Sequence, residues 1–218
     1  MPSRTLSMIR RDINRLEDTV SRHKDTHAAL AAMETPVKTA AQQVNETWQH
    51  YQTTAVQGDK EREERETAIG DLLGWIQRWR PLLLLMVDGA EANLKKLPPG
   101  APTPDDVIRV AEDMVQFIQK HSGSGLDADA AMADLADRIE NARKETQEAV
   151  AALPAEDAAR EAFTQACVEA NPVVIRGTQV IRAIFGPTSP EYKRFIARSG
   201  SGSGGEGDEG DADEGEEA

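Results

Sequence analysis

The chain has 218 residues, a net charge of -13 and only 4% aromatic residues, which favours thin, Ala- and Leu-lined helix contacts over a thick mixed core. Acids outnumber Lys and Arg 38 to 25, and the basic pairs Arg10-Arg11 and Lys95-Lys96 stand isolated. DNA or RNA binding needs clustered cations to displace counterions, so nucleic-acid recognition is excluded as an expectation.

Leu6, Ile9, Ile13, Leu16, Val20, His23, His27, Leu30, Glu34, Val37, Ala41, Val44, Trp48, Tyr51 and Ala55 follow a 3-4-3-4 spacing. That is the seam of a packed helix. The phase passes Pro36 without a slip, which predicts one long kinked helix, or two collinear ones, over about 3–57. Gly58-Asp59 supplies the stop, because glycine accepts the left-handed conformation that ends helices. The first fifteen residues are charged throughout and lack the apolar stretch of a secretory leader, so the cytoplasm is the expected compartment.

His23 and His27 are spaced i,i+4 and would share one helix face. Such a pair is a half-site for zinc or iron, which needs three or four ligands. His121 is the remaining candidate on another helix, and no Glu-x-x-His completes a di-iron pattern. The competing reading makes both histidines polar seam residues near a bundle end, and no cofactor is expected.

The second predicted helix covers about 60–97. Its charged start, Lys60 to Glu66, reads as a solvated end tied by i,i+3 and i,i+4 pairs. Its seam is Ile69, Leu72, Ile76, Trp79, Leu83, Met86, Ala90, Leu94 and Leu97. Trp75 and Trp79, with Leu82, Leu84 and Leu85, make a stretch apolar on nearly all sides. Either neighbouring helices enclose it, or it forms an interaction surface such as a dimer seam. The run Leu82 to Val87 is far short of the ~20 residues a membrane span requires.

Pro98-Pro99-Gly100-Ala101-Pro102 is a linker. Thr103 then caps a third helix with Pro104 at its first position and Asp105 and Asp106 at the positive end of its dipole. This helix is expected over 104–153 with a break near 122–126, where Ser122-Gly123-Ser124-Gly125 falls. Pro154 opens the fourth, 154–185, with Pro172 inside it and Gly186 ending it. Its Cys167, the chain's single cysteine, excludes an intrachain disulfide and reads as a buried, inert thiol. Residues 199–218 are Gly, Ser, Asp, Glu and Ala, with eight acids over 206–218. They cannot bury enough apolar surface to fold, which predicts a disordered tail. It serves either as a solubilising extension or as a docking arm for a basic partner protein.

Together the segments predict an all-α protein: an extended antiparallel up-down-up-down four-helix bundle over 1–198, with kinked helices and an acidic tail. Pro36, Pro81 and Gly123 fall at matching heights in that arrangement, which predicts a belt of bends. No nucleophile elbow, phosphate loop, dinucleotide fingerprint or zinc-protease motif is present. The expected function is therefore a non-enzymatic structural or protein-interaction module, with homo-oligomerisation open, and a metal- or ligand-binding bundle at His23 and His27 as the alternative.

The stretch Ile181-Arg182-Ala183-Ile184-Phe185-Gly186-Pro187-Thr188-Ser189-Pro190-Glu191-Tyr192, with Phe195, resembles the C-terminal end of a loose group of uncharacterised bacterial all-helical proteins. There a last long helix ends in an aromatic-Gly pair, followed by a Ser-containing turn and another aromatic. The resemblance covers about 15 residues. It implies a helical bundle with a C-terminal hook folded back, and brings no activity with it.

Overall fold

Thr5 opens the first helix by accepting the Met8 backbone N–H on its hydroxyl at 3.4 Å. In the computed structural model the described residues are 5–87, 94–121 and 128–196. Every regular element among them is a helix: α1 Leu6–His23, α2 Ala28–Ala31, α3 Glu34–Met86, α4 Pro104–Lys120, α5 Ala128–Phe185 and α6 Pro190–Ile196. The acidic tail and Ser122 to Gly125 lie outside the described residues. The chain groups into two compact units. One takes in Met1–Trp48 and Ala162–Ala218, the other Gln49–Glu161, so α3 and α5 each contribute to both.

In the first unit, the long helix expected through residue 57 does not start where the register suggested. α1 ends at His23, and the Thr26 hydroxyl and amide both donate to the His23 carbonyl, at 3.0 and 3.1 Å. Short polar side chains that bond local backbone compete with helix propagation, and Thr26 does so here. The chain then reverses. Lys24 pairs with Glu34 at 2.6 Å, while Arg10 and Asn14 both donate to the Asn45 side chain, at 3.3 and 3.2 Å. α1 and the start of α3 are thus an antiparallel hairpin. Leu16 and Val20 on one arm and Val37, Ala41 and Val44 on the other are all buried. Pro36 produces no mid-helix kink, because it lies in the first turn of α3, where its missing N–H has no partner to lose.

The C-terminal part of α5 packs against the same hairpin. Trp48 meets Phe163 at 4.9 Å between ring centroids, and the Cys167 thiol lies 3.7 Å from the Leu6 carbonyl. Gly177 faces Leu16 so closely that an added Cβ would lie 2.3 Å from a Leu16 methyl. Gly186, at φ 85°, ends α5. Ser189 accepts the Tyr192 amide at 3.1 Å and so caps α6, whose Phe195 is buried.

The second unit corrects three further expectations. There is no turn at Gly58-Asp59, and α3 continues to Met86. Glycine costs a helix about 1 kcal/mol relative to alanine, a small deficit that tertiary contact overrides. Gly58 is buried, and a Cβ there would come within 2.9 Å of Glu156 on α5. Arg62 holds Glu156 at 3.1 Å and Asp59 at 2.6 Å. Second, Pro154 starts no new helix, because α5 continues through it and through Pro172. Pro81 likewise sits inside α3. All three prolines are exposed, and so are Gln77, Val150 and Val168 four residues before them. The carbonyls these prolines leave without a helical donor therefore belong to solvent-facing positions, which lowers the cost of each interruption. Third, the helix expected to reach residue 97 stops at Met86, and Leu94 to Pro98 are non-helical although Leu94 is buried.

Thr103 caps α4 as anticipated. It accepts the Asp106 amide at 3.2 Å, and Asp106 in turn accepts the Thr103 amide at 3.2 Å. The core of this unit brings together Leu72, Trp75, Ile76 and Leu83 of α3, Val107, Met114 and Ile118 of α4, and Leu135, Ile139 and Ala142 of α5.

Candidate functional site

His23 and His27 do not share a helix face. His23 is the last residue of α1 and His27 is the N-cap of α2, with the 24–26 turn between them. Both rings nevertheless meet the same partner. Each packs edge-on against Phe185 at the end of α5, at 5.0 and 5.3 Å between centroids. Edge-to-face packing of this kind stabilises aromatic pairs by about 0.5–1.5 kcal/mol. Both rings are half-buried. His121 belongs to the other unit, where it packs on Phe117 at 4.6 Å.

The apolar stretch of α3 divides between interior and surface. Trp75 is 2% exposed inside the second unit's core and stacks on half-buried Trp79 at 5.3 Å. Leu84 packs against the same core. Leu82 and Leu85 point outward, 43% and 83% exposed. Three residues apart, they are neighbours on one helix face. On α5, Asp134 is held below the ordinary aspartate range, chiefly by its hydrogen bond to Arg138.

Two constellations escaped sequence reasoning. In the first unit, the Arg10 guanidinium lies 4.8 Å from the centre of the Trp48 ring, a cation–π contact. Arg10, Arg11, Asn14, Arg15 and Trp48 line a cleft of about 370 Å³. Asp12 accepts from Arg11 at 3.3 Å, so part of that positive charge is answered within α1. In the second unit, Glu61 of α3 and Glu145 and Glu148 of α5 bring one carboxylate oxygen each within 4.8 Å of one another. Lys144 reaches Glu145 at 3.0 Å and Glu148 at 3.3 Å, and these two carboxylates raise its pKa. Glu145 stands beside Lys144 in the sequence and reads as surface, so no sequence signal marked this cluster.

Cys167 is fully buried, and desolvation pushes its thiol pKa upward against a smaller opposing effect of Arg10. A thiol in that state is a poor nucleophile. Compared with protein-family models, with curated proteins and with solved structures, the chain finds no match in any of the three. No helix among the described residues is long and apolar enough to cross a membrane.

Proposed function

We propose that this protein is a non-enzymatic helical scaffold of the cytoplasm that works by protein–protein contact, through the exposed end of α3. The observation that carries the reading is Leu85, 83% exposed beside Leu82, on a helix whose inner face is already occupied by Trp75, Ile76 and Leu83. An apolar pair left outside a filled core costs nothing to the fold and is available to a partner. His23 and His27 pack on Phe185, His121 packs on Phe117, and Cys167 lies in the interior. In this reading α1, α3, α4 and α5 alternate in direction as an up-down bundle, with α3 bent at Pro81 and α5 at Pro172. A second copy of the chain is the occupant that tests it most directly, and the acidic tail extends the same role to a basic protein.

Light scattering after gel filtration tests the first part. The wild type should exceed the 23.8 kDa monomer mass, and Leu82→Ser with Leu85→Ser should restore it. Affinity capture with the full chain and with a 1–198 truncation tests the second, because a basic partner held by the tail is lost on truncation. A monomeric wild type that captures nothing specific would overturn both parts.

A second reading is supported by the packing of His23 and His27 against the same ring, Phe185. It makes them a metal or small-ligand site. Stoichiometric zinc or iron in protein purified without chelator, lost in a His23→Ala, His27→Ala variant, is its test.

A further inference from the structure

Charge is divided unevenly between the two units. Residues 1–48 and 162–198 of the first carry twelve Lys and Arg against eight acids, a net +4, while residues 49–161 carry thirteen against twenty-two, a net -9. The remaining eight acids all fall at 206–218, with no base among them. In the first unit, Arg11 and Arg15 stand four residues apart on one face of α1 with Arg10 beside them, and all three line the cleft of about 370 Å³ with Trp48 and Phe163. All three are half-buried. The Arg10 guanidinium is held by the Asn45 side chain at 3.3 Å and by the Trp48 ring at 4.8 Å. A planar guanidinium fixed in this way loses little further freedom on meeting a carboxylate. Two acids oppose this charge. Asp12 takes Arg11 at 3.3 Å, and exposed Asp18 lines the same cleft with Arg22 4.0 Å away. They leave α1 with four arginines against three acids, in a chain whose net charge is -13.

We propose that the acidic segment 206–218 docks on its own chain, on the arginine cleft of α1. Arginine clusters recognise acidic segments through charge-assisted, often paired hydrogen bonds. Connectivity selects the occupant. Glu206 follows Ile196, the last residue of α6, by ten residues, a span of at most about 33–36 Å, and the acids after it reach up to about 70 Å by Glu217. α6 lies against α1, whose 18 residues extend about 27 Å. The acids therefore reach the whole of α1, the cleft included. Tethering also gives them an effective concentration in the millimolar range, which favours them over free anions of equal affinity. Single exposed ion pairs are weak and screened by salt, so docking needs several of the eight acids at once and fades with ionic strength. The inference is independent of the Leu82 and Leu85 surface. For the tail it adds that a basic partner has to displace α1 to reach it.

The test is a nitroxide attached at Ala212→Cys in the full chain, read by NMR as the loss of signal intensity it causes nearby. Cys167 is buried, so position 212 is the one labelled. Signals of Arg10, Arg11, Arg15 and the Trp48 indole should lose intensity, to the same extent after about tenfold dilution, because the contact is within one chain. Salt at about 1 M, where the Debye length is about 3 Å, should restore them. Arg11→Gln with Arg15→Gln should abolish the loss. If that variant fails to fold by circular dichroism, exchanging the eight tail acids for Asn and Gln leaves α1 untouched and should abolish it as well. No loss at α1 would overturn the proposal, as would a loss that survives neutralisation of the tail. Loss that appears only when spin-labelled protein is mixed with isotope-labelled protein would also overturn it, and would place the tail on a second copy.

Discussion

Replacing Gly177 by alanine adds one methyl group where α5 lies close against Leu16. Its Cβ would meet the Leu16 Cδ2, Cδ1 and Cγ at 2.3, 2.6 and 3.0 Å. Turning the Leu16 end group relieves the two methyls but leaves Cγ, and Leu16 is fully buried with no solvent to move into. Overpacking of this kind costs about 1–3 kcal/mol, and the geometry argues for the upper end. Against it, alanine is a better helix former than glycine by about 1 kcal/mol. The net expectation for Gly177→Ala is a loss of about 2 kcal/mol. Gly70 and Gly74 give the control: both are exposed in α3, and a Cβ at either meets nothing within 4 Å. Alanine there should stabilise by about 0.5–1 kcal/mol each. Urea unfolding followed by circular dichroism at 222 nm reads all three variants. A double variant with Leu16→Ala should lose less than the sum of its parts, because the methyl then occupies part of the vacated space. Gly177→Ala as stable as the wild type, or strict additivity with Leu16→Ala, would refute the close-approach argument.

Pro154→Ala should raise the thermal midpoint, because it restores an amide to the interior of α5 and removes a ring that costs a helix about 3 kcal/mol; a lower midpoint would mean that the proline holds a bend the packing requires. Trp75→Ala should destabilise by about 3–5 kcal/mol, the cost of emptying a core site, while Leu85→Ser should leave the urea midpoint nearly unchanged. Asp106 has its carboxyl pKa depressed, first by the Thr103 hydroxyl, so its contribution is present above the ordinary aspartate pKa and fades as pH falls through the lowered value. Thr103→Ala should therefore lower the melting temperature by roughly 2–8 °C near neutral pH, with the gap from wild type closing in acid; a constant gap would contradict the reciprocal cap. Cys167 should resist a thiol reagent in the native protein and react at the rate of unfolding; fast native labelling would contradict its burial.

Much of the interior was legible as spacing. Leu16, Val20, Val37, Ala41 and Val44 all stand on the predicted seam and are all buried. The Thr103-Pro104 start and the Gly186 stop were legible because caps are local chemistry, settled within four residues. What the spacing could not report was direction. An apolar phase looks the same whether the seam continues along one helix or returns across a hairpin, so Asp25-Thr26 was passed over and Pro36 took its place as the irregular point. Gly58 and Pro154 misled in the opposite sense. Each is a breaker by propensity, and each sits within a long helix, Gly58 against Glu156 and Pro154 with its freed carbonyl at an exposed position. The shared helix face expected of the histidine pair was wrong, because a turn separates them; each packs on Phe185 instead. Glu145 was missed because an acid beside Lys144 reads as surface, and burial comes only from the third helix position past Ala142.

The second unit is one uninterrupted stretch of chain, while the first is assembled from both ends of it. A ribosome delivers these parts in order. Ile9, Ile13, Leu16, Val20 and Leu30 emerge early, but Phe163, Ala166 and Val174, which complete their unit, follow only after about a hundred further residues. At roughly 5–20 residues per second, the α1–α3 hairpin waits about 5–20 s with its apolar side uncovered. The second unit can close in that interval. During synthesis, then, the N-terminal hairpin is the part of this protein with the longest need of a chaperone.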